Sequence, residues 1–250
     1  YPILYSPVDK NAVGEDDIKD GDTDKVAIQE FYLLKFKLTH ANTFIVISTL
    51  RPETLFGATH IWVNPQNEYV KARVDGEEWI VAKNAVEKLR MQTHAVEILS
   101  PVNGEQLLTQ KVEHPLLEKT ELPILPANFV SAEKGTGLVV AVPGHAPWDY
   151  MALKALQEKN HSAAMHIKPK TIISHPNFTG MEALLAEHKA TSMEKQSEIQ
   201  RATEDIYKRE FYEGKMNDQN LELSGLPVKL AKEAILKVLL GLGKSGILYE

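Results

Sequence analysis

The strongest constraint on how this sequence can fold is a layout that occurs twice: a short apolar run, then polar residues, then a proline. Phe44–Ile47 precedes Thr49–Thr59 in the first case, and Leu138–Val142 precedes Pro143–Tyr150 in the second. Apolar runs of this length, bounded by turn residues, are typical of buried strands. Proline is favoured at the first position of a helix, where no N–H bond is lost. The layout therefore predicts two buried strands whose ends display polar side chains.

Short strands with interspersed helices fill most of the sequence, and Asp75-Gly76 is typical of a tight hairpin turn. The predicted strands are Gln29–Leu38 (with Phe31, Leu33 and Phe36 as core residues), Phe44–Ile47, Ile61–Val63, Tyr69–Val74, Trp79–Ala82, Val96–Leu99, Ile124–Leu125 and Leu138–Val142. The predicted helices are a short one at Pro52, Ala85–Met91, Pro147–Glu158, Met181–Glu187, Ser192–Tyr212 and one after Pro227. This mixture predicts a mixed α/β fold with a β-barrel core that is flanked by helices.

The domain organisation predicted from these patterns is a single domain over residues 1–250. Residues 1–27 form an irregular N-terminal segment, residues 28–160 form the β-barrel core with both polar motifs, and residues 161–250 form a mainly helical extension of the same domain. Because the first residue is Tyr1 rather than methionine, we expect the chain to be a piece of a larger protein.

Composition excludes several functional classes. Cysteine is absent, so disulfides and cysteine-based zinc sites are excluded, and an intracellular, cytoplasmic location is expected. No apolar stretch approaches the roughly 20 residues of a membrane span, so no membrane partner is expected. The formal net charge is −6, which is unlike proteins that grip a long nucleic-acid backbone, so no DNA partner is expected. A few local contacts with the end of a nucleic-acid strand remain compatible with this charge.

The two strand-end motifs together resemble the editing domain of leucyl-tRNA synthetase in its archaeal and eukaryotic-like form. Thr49-Leu50-Arg51-Pro52-Glu53-Thr54 resembles the threonine-rich motif of that family, and Gly135–Tyr150 resembles its Gly-Thr-Gly strand and shared aspartate. The resemblance runs from about Tyr5 to about Leu156 and is weaker beyond that residue. It implies a β-barrel flanked by helices, and it implies hydrolysis of the ester that joins a wrong amino acid, such as norvaline or isoleucine, to tRNA(Leu).

The same resemblance implies a catalytic set of four residues. Asp149 matches the shared aspartate, whose carboxylate would pair with the α-ammonium of the substrate. Thr54 matches the threonine whose stiff, β-branched side chain would exclude leucine. Thr49 would hold the attacking water or the terminal ribose, and Arg51 would meet the phosphate or the carbonyl. Taken without the motif, Asp149 is interpreted as a helix-start acid stabilised by the helix dipole, and the alternative for Thr54 is a hydroxyl bonded to the backbone.

A further group of residues is implied to line the substrate site. The amino-acid pocket is assigned to Val140, Val142, His145 and Tyr150, and the terminal adenosine to the main chain near Val130 and Ser131. Ordinary core packing accounts equally well for the two valines. We interpret His145 as a structural residue behind the site, because the histidines are scattered and no His-Glu-x-x-His occurs. No metal is therefore expected.

The resemblance also sets limits on the reaction. The signatures His-Ile-Gly-His and Lys-Met-Ser-Lys-Ser of the aminoacylating core are absent, so no ATP and no other cofactor is expected. No serine lies in a nucleophile motif, which favours direct attack by water. Leu50 stands where many bacterial members have a second threonine, and Ala146 where they have aspartate. The role of that second threonine cannot be carried over.

Two alternatives remain open from sequence. A valyl-type editing domain shares Arg-Pro-Glu-Thr, but it carries a lysine in the second strand where this chain has Val139–Val142. A non-catalytic module that docks the tRNA end and retains the fold is the alternative from another class. The expected partners are the 3′ end of charged tRNA(Leu) and the remainder of the synthetase.

Overall fold

A computed structural model describes residues 29–92, 94–176, 178–217 and 223–250 in full, and residues 4–6 and 11–13 by their backbone. The strands are β1 (Leu4–Ser6), β2 (Asn11–Val13), β3 (Glu30–Lys37), β4 (Phe44–Thr49), β5 (His60–Val63), β6 (Glu68–Val74), β7 (Glu77–Ala82), β8 (Val96–Asn103), β9 (Lys111–Glu113), β10 (Glu121–Pro126), β11 (Val139–Ala141), β12 (Ile173–Ser174), β13 (Lys215–Met216) and β14 (Ser245–Tyr249). The helices are a 3₁₀ helix (Pro52–Gly57), α1 (Lys83–Met91), α2 (Gly104–Leu107), α3 (Pro147–Glu158), α4 (Met181–Glu187), α5 (Gln196–Glu213) and α6 (Val228–Gly241).

Two sheets carry the core. The larger has six strands in the order β14-β3-β4-β7-β6-β8, and the smaller has four in the order β11-β5-β10-β9. An isolated bridge between Leu38 and Val112 joins the end of β3 to β9. The mixed α/β prediction is confirmed, but within the described residues the strands form several sheets and no closed barrel. The smaller sheet stays open because its edge strands, β9 and β11, have three residues each and leave little ladder for further pairing.

Apolar clusters cover both faces of the middle of the six-stranded sheet, which explains the continuous apolar runs in β4 and β7. Phe31, Leu33 and Val46 pack under α1 on one face. The opposite face includes Leu34 and Phe36, and it packs against the four-stranded sheet. The predicted core residues Phe31, Leu33 and Phe36 are all buried.

Two sets of contacts hold the C-terminal extension against the core. Helices α4 and α5 pack against α3 through buried apolar residues that include Met151, Leu184 and Ile206. Helix α6 inserts Ile235 and Leu239 between the two sheets. The chain then returns as β14, which pairs antiparallel with β3 at the edge of the large sheet. The extension is therefore mainly helical, and its last strand completes the core.

The N-terminal segment contains more structure than the irregular course expected for residues 1–27. β1 and β2 pair antiparallel, with Tyr5 opposite Ala12. The other residues of that segment lie outside the described part of the chain. Among the described residues, no helix combines the length and the apolar character that crossing a membrane requires.

Two buried histidines give the fold a testable response to acid. Burial lowers the pKa of His60 to about 3 and that of His114 to about 4. His114 bonds through Nε2 to the Leu55 carbonyl, while its Nδ1 accepts the N–H groups of Leu116 and Leu117. Protonation of Nδ1 would break the last two bonds.

The folded pKa of His114 lies below the unfolded value, so the stability it contributes is present above about pH 6.5 and is lost as pH falls. His114→Gln removes this titration while retaining a donor and an acceptor. Between about pH 7 and pH 5 we expect the parent to lose about 2 kcal/mol more unfolding free energy than His114→Gln. Denaturant titration at both pH values measures this difference, and exposed His40→Gln is the matched control. Equal losses in the parent and His114→Gln would contradict the assignment.

Candidate functional site

The threonine-rich turn follows β4 and is closed by its own side chains. Thr49 Oγ1 accepts the backbone N–H of Arg51 at 3.0 Å. Thr54 Oγ1 donates to the backbone carbonyl of Arg51 at 2.8 Å. Pro52 starts the 3₁₀ helix as predicted. Both hydroxyls are thus oriented by the main chain of one residue, Arg51.

Asp149 lies in the first turn of α3 and is 4% exposed. One carboxylate oxygen accepts the indole N–H of Trp62 at 3.0 Å, and the other accepts the backbone N–H of Val142 at 2.7 Å. Burial raises the pKa of Asp149 to about 7, against the opposing effect of the two hydrogen bonds. The carboxyl therefore lies where the end of β11, the start of α3 and β5 meet, and it changes charge near neutral pH.

The loop between β11 and α3 passes very close to a neighbouring backbone segment. A Cβ on Gly144 would lie 2.1 Å from the Lys170 carbonyl oxygen, so only glycine fits. The His145 side chain is fully buried, and its Nε2 accepts the backbone N–H of Ile172 at 2.8 Å. Its Nδ1 therefore carries the proton and donates to Glu210 Oε1 at 2.6 Å. Both ring nitrogens of His145 are therefore bonded to protein groups.

Arg51 is held by protein groups on several sides. Its Nε bonds to Glu53 at 2.9 Å and its Nη2 bonds to Glu210 at 2.6 Å. Its guanidinium lies 4.4 Å from the ring centre of Tyr207. Desolvation lowers the pKa of Arg51, but Glu210 and Glu53 outweigh it and the net pKa is raised. The side chain is a permanent cation that is 13% exposed.

The structure brings the two predicted motifs together. The Thr59 N–H donates to the Ala141 carbonyl at 3.0 Å, and β5 and β11 pair antiparallel from that point. Arg51 Nη1 also reaches the His145 carbonyl at 3.5 Å. The threonine-rich turn and the loop that leads to Asp149 therefore form one continuous region.

The residues predicted for the substrate pocket and the adenosine occupy different surroundings. Val140 and Val142 are buried in the cluster between the sheets. The Tyr150 hydroxyl donates to Glu182 of α4 at 2.8 Å, which directs it toward the helical extension. The Val130 carbonyl accepts the side-chain amides of Asn64 and Asn67, at 3.2 and 3.1 Å. Exposed Ser131 accepts the Glu133 N–H at 3.2 Å.

Three residues of this region were not found from sequence: Trp62, Tyr207 and Glu210. Trp62 is part of an apolar strand, where an indole gives no sign of its hydrogen bond. Glu210 did leave a signal, because it continues the buried helical face of Ile199, Ala202 and Ile206 at four-residue spacing. An acid on such a face must be paired.

Among the described residues, one group of side chains has the spacing to hold a metal ion: Glu187, His188 and Asp205. Arg209 bonds to Asp205 at 2.7 Å and to Glu187 at 3.1 Å, which accounts for both acids. This cluster is consequently an ion-pair network between α4 and α5.

Residues 29–239 match the family described as leucyl-tRNA synthetase, editing domain. The chain belongs to this family. The match is to the leucyl type, not to the valyl alternative.

Relatives in sequence support the same family, and solved structures share the fold. The chain is 39% identical to a leucine–tRNA ligase of Thermoplasma volcanium and 37% identical to that of Methanocaldococcus jannaschii, with all of this chain aligned. It covers 26% and 27% of those two proteins, so it spans about a quarter of their length. The editing domain of P. falciparum cytosolic leucyl-tRNA synthetase superimposes with a TM-score of 0.80 at 16% identity. That superposition covers 89% of this chain and 100% of the solved chain, and it concerns the fold alone.

Proposed function

We propose that this editing domain hydrolyses the ester of tRNA(Leu) that carries a wrong amino acid, such as norvaline or isoleucine, and that it excludes leucine. The observation that carries the proposal is the meeting of the threonine-rich turn with the Asp149 loop. Water supplies the new bond to the carbonyl carbon, and the bond from that carbon to the ribose oxygen breaks. The products are the free amino acid and the tRNA 3′ end.

Asp149 can hold the substrate ammonium without giving up its protein partners. Each carboxylate oxygen has two acceptor positions, and the structure uses one on each. A buried, fixed carboxylate interacts more strongly with a cation than an exposed one, because the surrounding dielectric is low. Ammonium binding would also favour the ionised carboxylate, since an opposite charge lowers the pKa of an acid.

Thr54 is suited to act as a steric gate. Its hydroxyl is fixed on the Arg51 carbonyl, so its methyl group has one orientation. The side chain is buried and cannot easily move aside. Leucine, branched at its γ carbon, would clash there, whereas unbranched norvaline and isoleucine, which branches at another carbon, would enter.

Thr49 and Arg51 complete the site in our proposal. Thr49 is half-buried at the end of β4, and its hydroxyl proton has no protein acceptor among the described residues. That proton can bond to the attacking water or to the terminal ribose. Arg51 belongs to the same turn, and in our proposal its cation stabilises negative charge that develops on the substrate. No metal, ATP or other cofactor enters this scheme.

The partners follow from the same proposal: the 3′ end of charged tRNA(Leu), received near Val130 and Ser131, and the rest of the synthetase. The amino-acid pocket is assigned to Val140, Val142, His145 and Tyr150. A cytoplasmic location remains a prediction. Hydrolysis of norvalyl-tRNA(Leu) by the 250-residue chain, against a blank without protein, is the direct test. No acceleration over the blank would refute the proposal.

The acidic net charge predicts weak binding of tRNA by this chain alone. Each phosphate neutralised by a cation contributes about one unit to the logarithmic salt dependence of affinity. With a net charge of −6, we expect only a few such contacts and hence a shallow slope. Affinity for tRNA(Leu) measured across a salt series checks this. A steep slope would reveal a basic face that the net charge conceals.

A non-catalytic docking module remains the second candidate, and one observation favours it. Both oxygens of Asp149 and three nitrogens of Arg51 already bond to protein groups. A docking module would bind charged and uncharged tRNA(Leu) equally and would leave the ester of the charged form intact. The deacylation assay separates the two functions.

A further inference from the structure

We propose that Glu210 of α5 is a positioning residue of the editing site: it holds Arg51 of the threonine-rich turn and His145 of the Asp149 loop in one fixed arrangement. The inference rests on the proposed function and adds to it a role for the C-terminal extension.

The geometry is the first support. The two oxygens of one carboxylate serve the two motifs separately: Oε2 bonds to Arg51 Nη2 at 2.6 Å, and Oε1 bonds to His145 Nδ1 at 2.6 Å. Arg51 and His145 are 94 residues apart in sequence, and Glu210 is a further 65 residues beyond His145. A single side chain thus joins three distant segments.

Burial is the second support. The Glu210 side chain has no exposed surface, and it lies on the apolar face of α5 with Ile206 and Ala202. Burial alone would raise its pKa, but His145 and Arg51 outweigh this effect and the pKa is lowered. An apolar residue at this position would pack without any desolvation cost. The retained charge therefore serves these two contacts.

The consequence for the site follows from the Arg51 backbone. Thr49 and Thr54 both take their orientation from the Arg51 main chain. Glu210 fixes the Arg51 side chain from one side, and the Tyr207 ring covers the guanidinium from the same helix. Loss of the Glu210 carboxylate would remove one of the three hydrogen bonds that hold the Arg51 guanidinium, so the turn that orients both threonine hydroxyls would be less firmly fixed.

The His145 contact acts on the other motif. His145 lies three residues after Val142, whose N–H bonds to Asp149. Its side chain anchors that loop between Glu210 and the backbone of Ile172. The C-terminal extension therefore sets the distance between the threonine gate and the carboxylate that receives the substrate.

The test compares Glu210→Gln, Glu210→Asp and the control Glu213→Gln, an exposed acid on the same helix. In Glu210→Gln an amide faces Arg51, whereas Glu210→Asp keeps the charge. For norvalyl-tRNA(Leu) we expect Glu210→Gln to lower kcat about tenfold or more with little change in KM, because the groups that act in the transition state are misplaced. Hydrolysis of leucyl-tRNA(Leu) relative to norvalyl-tRNA(Leu) should rise. Glu210→Asp should recover part of the rate, and Glu213→Gln should match the parent.

A second measurement does not depend on activity. Heteronuclear NMR of the side-chain N–H groups should show a shifted Arg51 Nε signal and a shifted His145 imidazole signal in Glu210→Gln, and parental signals in Glu213→Gln. If the parent fails to hydrolyse its substrate, the proposed function fails, and these signals still decide the role of Glu210. A folded Glu210→Gln with parental kcat and parental signals would overturn the inference. If Glu210→Gln does not fold, the same comparison is made with Glu210→Met, which removes both hydrogen bonds and packs as an apolar residue, and parental kcat and signals in folded Glu210→Met would equally overturn the inference.

Discussion

Asp149→Ala should abolish hydrolysis of norvalyl-tRNA(Leu) by this chain. The substitution removes the only group that we assign to the substrate ammonium, so the ester would lose both affinity and orientation. A fixed geometry of the reacting groups contributes several orders of magnitude to such reactions. We therefore expect a loss of about a hundredfold or more, measured as kcat/KM for deacylation.

The structure makes stability part of this experiment. Alanine would leave the Trp62 indole N–H and the Val142 N–H without their acceptor, at a cost of about 1–3 kcal/mol for each buried group. Asp149→Asn should therefore be measured beside Asp149→Ala, since it keeps the shape of the side chain and one acceptor but removes the charge. Glu158→Gln, at the exposed end of the same helix, is the matched control. A folded Asp149→Asn with the parental rate would show that the carboxylate has another role.

The pH dependence of the parent gives the same prediction a second readout. The pKa of Asp149 is raised to about 7, so the carboxylate that binds the ammonium is present above that pH and is lost as pH falls. kcat/KM should therefore rise with pH through the neutral range, because it reports the free enzyme. In Asp149→Asn, kcat/KM should not show this rise with pH. The effect of pH on folding stability has the opposite sign. The free energy of unfolding falls as pH rises from about 4 to about 7, because the folded chain retains a proton that the unfolded chain releases.

Helices and turns could be predicted from the sequence where a single local signal was strong, such as a proline at a helix start or a turn-forming residue pair. Pro147 and Met181 start α3 and α4 as expected, and both helices end at the expected residues, Glu158 and Glu187. The Asp75-Gly76 hairpin also formed, because a positive φ at both residues suits that turn. These features depend on neighbours in sequence, which is the range that periodicity and turn chemistry report.

The features that sequence did not predict depend on distant partners. β14 has only five residues, and only Ile247 and Leu248 among them have aliphatic side chains. It becomes a strand by pairing with β3, which lies more than two hundred residues earlier in the sequence. The open arrangement of the sheets follows from the lengths of β9 and β11, and short strands give weak sequence signals. On the buried face of α5, Glu210 is recognisable in the sequence as an acid among apolar residues. Its partners could not be predicted, because they belong to other segments.

The two motifs of the candidate site could be predicted from the sequence, but the contacts of their side chains with distant residues could not. The sequence placed Thr54 and Asp149 at the ends of two strands, and the resemblance gave each of them a role. It could not show that Asp149 is buried against Trp62, or that Arg51 is already bonded to Glu53 and Glu210. Burial raises the pKa of Asp149 to about 7, and the bonds to Glu53 and Glu210 restrain the Arg51 side chain. The assigned roles of these residues remain predictions.

Thr54→Ala should convert leucyl-tRNA(Leu) into a substrate. In our proposal the Thr54 side chain excludes leucine by its bulk, and alanine would open room for the γ branch. Removal of norvaline should persist, because Asp149 and the water position are unchanged. The measurement is hydrolysis of leucyl-tRNA(Leu) by the parent and the variant, with norvalyl-tRNA(Leu) as the reference. The lost bond to the Arg51 carbonyl should cost about 1 kcal/mol, so folding is checked first.

Thr54→Val separates bulk from hydrogen bonding. Valine has nearly the shape of threonine but no hydroxyl, so it lacks the bond to Arg51 while keeping two branches at Cβ. If bulk sets the gate, Thr54→Val should still spare leucyl-tRNA(Leu), and Thr54→Ala should destroy it. If the bond to Arg51 sets the gate, both variants should hydrolyse the leucyl ester, because both lose the restraint on the turn. Negligible leucyl hydrolysis by a folded Thr54→Ala that remains active on norvaline would assign the exclusion of leucine to a different residue.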